Sequence, residues 1–256
     1  MAGHRLLVLA DAHIGAAPPE SEAALLAFLQ SAPGLGDSLL IAGDLFEFWF
    51  AYRQVIPRRA FAVAAALRET AGRMPVAMVG GNHDRWGDPF WVDEAGIRYG
   101  REQLRVDAGG RTVLALHGDG LMHGREGVRW THRLVGHPVT SALFRLLHPD
   151  LGLRLVDRMG PLLASEEKKS AEEKRQFAAR QRAWAERRLV DDPALGALIM
   201  GHTHLAASSE AAPGRYYLNP GAWFQGGAYA VLSDNGVEHR RFIPAPPPPH
   251  PTAAPR

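Results

Sequence analysis

The 256-residue sequence contains no cysteine, which excludes disulfide bonds and thiolate metal sites. It also lacks any run of the eighteen or more apolar residues that a membrane-spanning helix needs. The first apolar run, residues 5–10, stops at Asp11 and is too short for the core of a signal peptide. We therefore expect a cytoplasmic protein that at most associates with a membrane from its surface.

A large surplus of charge of either sign is missing as well. Lys and Arg number 29 and Asp and Glu number 27, which gives a formal net charge of +2. Proteins that bind nucleic acid usually carry a clustered excess of basic residues. We therefore expect no nucleic-acid partner.

Short apolar runs predict buried strands, because each run has about the length of a strand and several are flanked by Gly or Pro. They span residues 5–10, 38–43, 75–80, 112–118, 195–201 and 228–233. Between the first three runs, residues 18–32 and 58–72 place Ala, Leu and Phe at helical spacing. This alternation indicates an α/β fold. Two strand-like runs around residues 108–110 predict a β-hairpin, so the sheet should be mixed.

The strand pattern stops between residues 123 and 190, where we predict a helical cap inserted in the α/β core. Residues 140–164 carry Leu, Phe and Met at helical spacing, with breaks expected at His148-Pro149 and at residues 150–152. In residues 165–189, Glu precedes Lys or Arg in the way that stabilises a helix, which predicts one long charged helix. One domain including this cap should span residues 1–242, and the Pro-rich residues 243–256 should form a disordered tail.

Polar side chains follow five of the predicted strands at the point where each strand ends. They are Asp11 and His13, then Asp44, then Asn82 with His83 and Asp84, then His117 with Asp119, and finally His202 with His204. The carboxyl ends of neighbouring strands in α/β sheets are where ligands gather. Each motif alone is also typical of turn or helix-cap chemistry. Five in succession, each at a strand end, favour a single functional site.

The candidate donors are four His, two Asp and one Asn, which supply oxygen and nitrogen but no sulfur. Such a set suits Mn²⁺, Fe²⁺ or Zn²⁺ better than Ca²⁺ or Mg²⁺ alone. Seven donors exceed one tetrahedral site and suit two ions that share a bridging carboxylate. Two ions of this kind clamp the attacking and leaving oxygens of a displacement at phosphorus. The pattern therefore predicts a dimetal hydrolase of phosphate esters or anhydrides.

The motif order Asp-x-His, Gly-Asp, Gly-Asn-His-Asp, His-Gly-Asp and Gly-His-Thr-His resembles the calcineurin-like metallophosphoesterase superfamily over residues 5–235. The resemblance implies a mixed β-sheet sandwich flanked by helices, and it divides the metal ligands between two ions. The implied ligands are Asp11, His13 and His204 for the first ion, Asn82, His117 and His202 for the second, and Asp44 as the bridge.

The resemblance gives His83 and Asp84 catalytic roles instead of metal ligation. His83 would face the substrate phosphate, where it protonates the leaving group or stabilises charge. Asp84 would hydrogen-bond His83 and fix its tautomer.

The run Gly-Asp-Leu-Phe-Glu-Phe-Trp at residues 43–49 is similar to the UDP-2,3-diacylglucosamine pyrophosphatases of lipid A synthesis, which also carry a helical cap in this interval. That likeness implies hydrolysis of UDP-2,3-diacylglucosamine to UMP and 2,3-diacylglucosamine 1-phosphate, usually with Mn²⁺, by a protein peripheral to the inner membrane. Apolar residues of the cap would line a groove for the acyl chains, or they would pack the cap onto the core as a helical hairpin with its Arg side chains in solvent. The candidate substrate contacts are Asn82, Arg125, Ser165, Lys168, Lys169 and His202.

Two departures from that family keep other functions open. Many members carry Arg at the position of His83, and better-known members carry an acidic pair in the region of Arg125. One alternative is a hydrolase of the same superfamily that acts on nucleotides or on another lipid. Another is a non-catalytic scaffold that binds partners through the cap, although all seven ligand positions are filled.

Overall fold

The computed structural model describes residues 4–52, 54–87, 89–108, 110–119, 137–163 and 170–244. The strands are β1 (Arg5–Leu9), β2 (Ser38–Ile41), β3 (Val76–Val79), β4 (Arg98–Gly100), β5 (Gln103–Ala108), β6 (Arg111–Leu116), β7 (Ala197–Ile199), β8 (Ala207–Ala212), β9 (Arg215–Asn219), β10 (Ala228–Ser233) and β11 (Gly236–Arg241). The α-helices are α1 (Pro19–Leu35), α2 (Phe61–Ala71), α3 (Phe90–Asp93), α4 (Pro138–Phe144), α5 (Pro149–Leu163) and α6 (Ala171–Asp191). Among these helices, none combines the length and the apolar character that a membrane crossing requires.

The strands form two mixed sheets, as the sandwich fold requires. The first sheet has the order β11-β10-β1-β2-β3-β4, in which β1 to β4 are parallel and β10 pairs antiparallel with both β1 and β11. The second has the order β5-β6-β7-β9-β8, with β6, β7 and β9 parallel. All six apolar runs form strands, and the predicted hairpin is β5 with β6. The predicted mixed α/β architecture is confirmed.

Side-chain alternation along β1 shows how the layers pack. Leu6 and Val8 point into the core between the sheets, where they meet residues such as Val113 and Ile199 of the second sheet. Leu7 and Leu9 belong to the opposite face, which packs against α1 and α2. Both faces are therefore covered, which explains why β1 reads as a continuous apolar run.

The cap differs from its prediction at two points. The break expected at residues 150–152 is absent, because α5 runs continuously from Pro149 to Leu163. Gly152 is buried there, and a Cβ on it would lie 2.6 Å from Tyr52 Oη, so this glycine permits close packing and does not end the helix. The break at His148-Pro149 is confirmed.

The long charged helix begins later than predicted, because Ser170 is its N-cap. Ser170 has extended backbone angles, its side chain accepts a hydrogen bond from the Glu173 N–H, and Glu173 bonds back to the Ser170 N–H. This reciprocal capping box fixes the start of α6 at Ala171. Residues 164–169, residues 120–136 and the tail beyond Pro244 lie outside the described residues.

Candidate metal centre

Every predicted ligand follows a strand that has a parallel neighbour in one of the two sheets. In the first sheet, Asp11 and His13 follow β1, Asp44 follows β2 and Asn82 follows β3. In the second sheet, His117 follows β6, and His202 and His204 follow β7. The carboxyl edges of both sheets therefore supply the site.

Three groups of potential metal-ligating atoms form at this edge, each with its atoms within 4.8 Å of one another. Two of them are separate from each other, Asp11 with His13 and His204, and Asp44 with His117 and His202. The third, His13 with Glu47 and His83, shares His13 with the first. The two separate groups match the two-ion arrangement implied by the sequence motifs, and because they consist of His and carboxylate atoms they do not include the Asn82 amide. His13 Nε2 lies 3.9 Å from Asp44 Oδ2, so the Asp44 carboxylate lies close to both groups.

The backbone is strained at the ligands. Within the described ranges, the non-glycine residues with positive φ are Asp11, His13, Asp44, His202 and His204, at 47° to 71°. Such residues cost on the order of 1–3 kcal/mol each and persist only where their surroundings hold them. Here the holding contacts include Asp11 N–H to the Gly43 carbonyl at 3.0 Å and His202 N–H to the Asp11 carboxylate at 3.1 Å. All five positions are predicted ligands, which indicates that the fold is built around this site.

Glycines beside the ligands make room for them. A Cβ on Gly81 would lie 2.0 Å from Asp44 Oδ1, and one on Gly43 would lie 2.5 Å from His117 Nδ1. A Cβ on Gly201 would lie 2.8 Å from the Ala42 carbonyl oxygen. The Gly of the Gly-Asp, Gly-Asn-His-Asp and Gly-His-Thr-His motifs is therefore a packing requirement of the centre.

Hydrogen bonds fix the tautomers of two ligand histidines. His117 Nδ1 lies 2.8 Å from the Ala42 carbonyl, which can only accept, so Nδ1 donates and Nε2 faces the centre. His13 Nδ1 donates to the Glu47 carboxylate at 2.8 Å, which leaves its Nε2 for a metal in the same way. Nε2 of His13 and Oδ1 of Asn82 are buried without a hydrogen-bond partner among the described residues. Acceptor atoms buried in this way fit a bound cation.

Charges at this centre shift the pKa values of its histidines and of Asp44. Burial lowers the pKa of His117, but the charge of Asp44 and a contact of 3.0 Å to its carboxylate outweigh burial and raise this pKa to about 10. Burial likewise lowers the pKa of His13, while the Glu47 hydrogen bond and nearby carboxylates raise it to about 9. Burial raises the pKa of Asp44, yet the charge of His117 holds it well below its usual range.

The predicted hydrogen bond between His83 and the Asp84 carboxylate is wrong. The Asp84 carboxylate is buried and accepts backbone N–H groups from Gly81 and Leu45, both at 2.7 Å, and from Asp44 and Phe46, both at 3.3 Å. It therefore ties the loop after β3 to the loop after β2. Burial, followed by the charge of Asp44, raises the pKa of Asp84 to about 6.

His83 has Glu47 as its partner instead. His83 Nδ1 lies 2.8 Å from the backbone carbonyl of Glu47 and 3.8 Å from its carboxylate. The ring is one-third exposed and meets the His13 ring edge-on at 5.0 Å. Glu47 thus contacts both a predicted ligand and the predicted catalytic histidine, a role that sequence reasoning did not assign although Glu47 lies inside residues 43–49.

Sequence reasoning also missed Asn219 and Gln181. Asn219, at the end of β9, is fully buried and donates to the Gly201 carbonyl at 2.9 Å and to Thr203 Oγ1 at 3.0 Å. Gln181 of α6 donates to the same carbonyl at 3.1 Å. Both brace the turn that carries His202. Asn219 was missed because no strand was predicted over residues 215–219, where β9 ends, and Gln181 was missed because it lies in a helix.

The cap is docked beside the metal centre through aromatic contacts. Phe144, at the end of α4, has its ring centroid 4.7 Å from that of Phe50 and 5.7 Å from that of Trp86. Phe50 and Trp86 lie on the loops that carry Asp44 and Asn82.

Of the predicted substrate contacts, Asn82 and His202 lie at the centre, while Arg125, Ser165, Lys168 and Lys169 fall outside the described residues.

Comparisons with known proteins agree with this centre. A model of the calcineurin-like phosphoesterase family matches residues 4–206. A UDP-2,3-diacylglucosamine hydrolase of Serratia proteamaculans is 28% identical over 245 residues, covering 92% of this chain and 98% of that protein. One of Yersinia pestis is 30% identical over 209 residues, covering 78% and 82%.

Among solved structures, the phosphoesterase Yfce from E. coli is 17% identical with a TM-score of 0.43, and the alignment covers 94% of this chain and all of that one. The family match contains both groups of ligand atoms, from Asp11 to His204. This chain therefore belongs to the calcineurin-like phosphoesterase family of metal-dependent hydrolases.

Proposed function

We propose that this protein hydrolyses the pyrophosphate bond of UDP-2,3-diacylglucosamine and releases UMP and 2,3-diacylglucosamine 1-phosphate, with two Mn²⁺ ions as cofactors. The observation that carries the proposal is the pair of ligand groups joined at Asp44, next to a cap that exposes apolar side chains. The names of the relatives, which align over most of their length, support this choice of substrate.

The ligand assignment follows from the two groups. Asp11, His13 and His204 would hold one ion, and His117, His202 and Asn82 the other, with Asp44 between them. The His and carboxylate donors suit Mn²⁺. Two bound ions would supply Lewis acidity at phosphorus and acidify the attacking water.

His83 is the proposed catalytic residue that contacts substrate. Because its Nδ1 donates to the Glu47 carbonyl, the Nε2 atom is the one left for substrate. A protonated ring would donate from Nε2 to a phosphate oxygen or to the leaving group as the P–O bond breaks. Glu47 holds the ring in this orientation, whereas Asp84 acts on the site through the backbone of both loops.

The cap supplies the proposed lipid-binding surface. Leu143, Leu146, Leu151 and Leu155 of the segment from α4 to α5 are 44–81% exposed. Covering such side chains with acyl chains contributes about 0.8 kcal/mol per buried methylene. Phe144 is already used in docking the cap, so we assign it to cap position and not to the acyl groove.

The same surface supports peripheral binding to an anionic membrane, such as the cytoplasmic face of an inner membrane. Arg145, Arg154 and Arg158 are exposed on the same segment as the leucines. A basic and apolar helix surface binds anionic lipid by burying apolar area and by attracting headgroups. Sedimentation with vesicles tests this: binding to vesicles with phosphatidylglycerol, weakened by salt and by Leu146→Glu, is expected. If the same amount of protein sediments with neutral vesicles, or if no protein sediments with either kind of vesicle, peripheral binding to anionic membranes is contradicted.

The substrate is tested by chelator-treated protein reloaded with Mn²⁺ and offered three compounds. These are UDP-2,3-diacylglucosamine, UDP-N-acetylglucosamine, which lacks long acyl chains, and bis-p-nitrophenyl phosphate. UMP release from UDP-2,3-diacylglucosamine, at a kcat/KM at least 100-fold above that for UDP-N-acetylglucosamine, is expected because the cap recognises the acyl chains. Turnover of the soluble diester alone would instead favour a hydrolase of nucleotides or other phosphodiesters. His83 supports this alternative, because many UDP-2,3-diacylglucosamine pyrophosphatases carry Arg at that position. Mn²⁺ binding without any turnover would favour a scaffold.

A further inference from the structure

Arg85 links two loops of the metal centre by a single side chain. It follows the Gly-Asn-His-Asp motif after β3, and its Nε donates to the Gly81 carbonyl at 3.1 Å. Its Nη2 forms an ion pair with the carboxylate of Asp119, in the loop after β6. The side chains of Arg85 and Asp119 are only 11% and 10% exposed. The guanidinium therefore contacts both loops in a nearly water-free position.

The two anchor points adjoin ligands of the same ion. Gly81 immediately precedes Asn82, and Asp119 lies two residues after His117. β3 belongs to the first sheet and β6 to the second, so no strand pairing holds these loops together. A planar guanidinium with several fixed donors suits such a bridge better than a flexible ammonium would.

We propose that Arg85 is a positioning residue for the second metal ion, because it fixes the separation between the loops that carry Asn82 and His117. Asp119 is its partner in this role. The inference rests on the two-ion centre of the proposed function, and not on the identity of the substrate. Asp119 is one of the polar residues that the sequence places at strand ends, but it is not a candidate metal ligand. Pairing with Arg85 gives it a structural role at the centre.

Loss of Arg85 should lower the affinity for one metal ion much more than for the other. Outer groups that orient metal ligands typically contribute 10- to 100-fold to metal affinity. Loss of Arg85 should therefore weaken binding of the ion held by Asn82, His117 and His202 by that factor. The ion held by Asp11, His13 and His204 depends on other loops, and its affinity should change by less than about threefold.

The test is calorimetric titration of the chelator-treated full chain with Mn²⁺. Arg85→Met, Asp119→Asn and the double variant are compared with Arg105→Met, which removes a 2.7 Å pair with Asp192 away from the centre. We expect Arg85→Met and Asp119→Asn to weaken the same ion, the double variant to be no worse than the more severe single one, and Arg105→Met to bind both ions normally. Because breaking a buried pair also destabilises the fold, Arg85→Lys serves as a milder variant with an intermediate loss.

Asn82→Ala identifies the second ion and separates two kinds of failure. If Asn82→Ala binds both ions with unchanged affinity, the ligand assignment is wrong and the inference fails with it. If Asn82→Ala loses one ion but folded Arg85→Met binds both normally, or weakens both equally, Arg85 does not position the second ion and the proposed function stands.

Discussion

Nε2 of His117 lies 3.0 Å from Oδ2 of Asp44, and this contact joins the two sheets at the metal centre. Asp44 follows β2 in the first sheet, whereas His117 follows β6 in the second. His117 also donates from Nδ1 to the Ala42 carbonyl, two residues before Asp44. The relative position of the sheets therefore sets the geometry of the site.

Asp44→Asn should abolish turnover while the protein stays folded. The substitution keeps the shape of a side chain that is 2% exposed, but it removes a charge that belongs to one ligand group and lies 3.9 Å from His13 of the other. Loss of Lewis-acid stabilisation at this position should lower kcat by on the order of 10³-fold, or about 4 kcal/mol. Steady-state kinetics with Mn²⁺, alongside circular dichroism, measures this. Activity within tenfold of the unchanged chain would contradict a bridging role.

Binding of the two ions should release protons. In the metal-free chain the pKa of His13 is about 9 and that of His117 about 10, so both rings are protonated at pH 7. Metal needs the neutral rings, so apparent affinity should fall as pH falls below these values, by about tenfold per pH unit for each ring displaced. Calorimetry in buffers with different ionisation enthalpies counts the protons. A count near zero at pH 7 would contradict metal binding that displaces protons from His13 and His117.

Gly81→Ala should destabilise the protein because the new Cβ would lie 2.0 Å from Asp44 Oδ1 and 2.6 Å from the Asp44 nitrogen. Overpacking of a buried site costs at least about 2 kcal/mol, which corresponds to a Tm lower by roughly 4–8 °C in a chain of this size. Gly34→Ala is the matched control, because a Cβ there meets nothing within 4 Å and Ala favours the helix. Equal Tm values for the two variants would contradict the packing role of Gly81.

Phe144→Ala should loosen the cap. Its ring contacts Phe50 and Trp86, and each aromatic pair contributes about 0.5–1.5 kcal/mol beyond the area that it buries. We expect limited proteolysis between α4 and α5 to accelerate about tenfold. Val139→Ala, which changes a side chain that is 56% exposed in the same helix, is the control and should cleave at the original rate. Unchanged cleavage of both variants would mean that Phe144 does not anchor the cap.

The positions of the candidate ligands could be proposed from local sequence. Each ligand lies within a few residues of a strand end, and a buried strand is visible as an apolar run, as for Asp44 after β2. The partners of those ligands depend on contacts between distant segments. Glu47 meets His13 across 34 residues, and the Asp84 carboxylate meets the backbone of Leu45 across 39. The sequence motif does not reveal which acid faces which histidine.

Weak local signals explain what was missed in the fold. β8 has the sequence Ala-Ser-Ser-Glu-Ala-Ala, which lacks the β-branched and aromatic residues of a typical strand, and its pairing with β9 forms it. Gly152 reads as a helix breaker, yet α5 continues through it because the glycine lies against Tyr52. The start of α6 was visible in Ser170 and Glu173, a capping pair hidden inside a longer charged run.

The most direct test of the account is UMP release from UDP-2,3-diacylglucosamine while chelator-treated protein is titrated with Mn²⁺. The two ligand groups predict two ions per chain and an activity that rises as the second equivalent binds. Full activity with a single ion, or no UMP release with two ions bound, would contradict the proposed dimetal hydrolysis of this substrate.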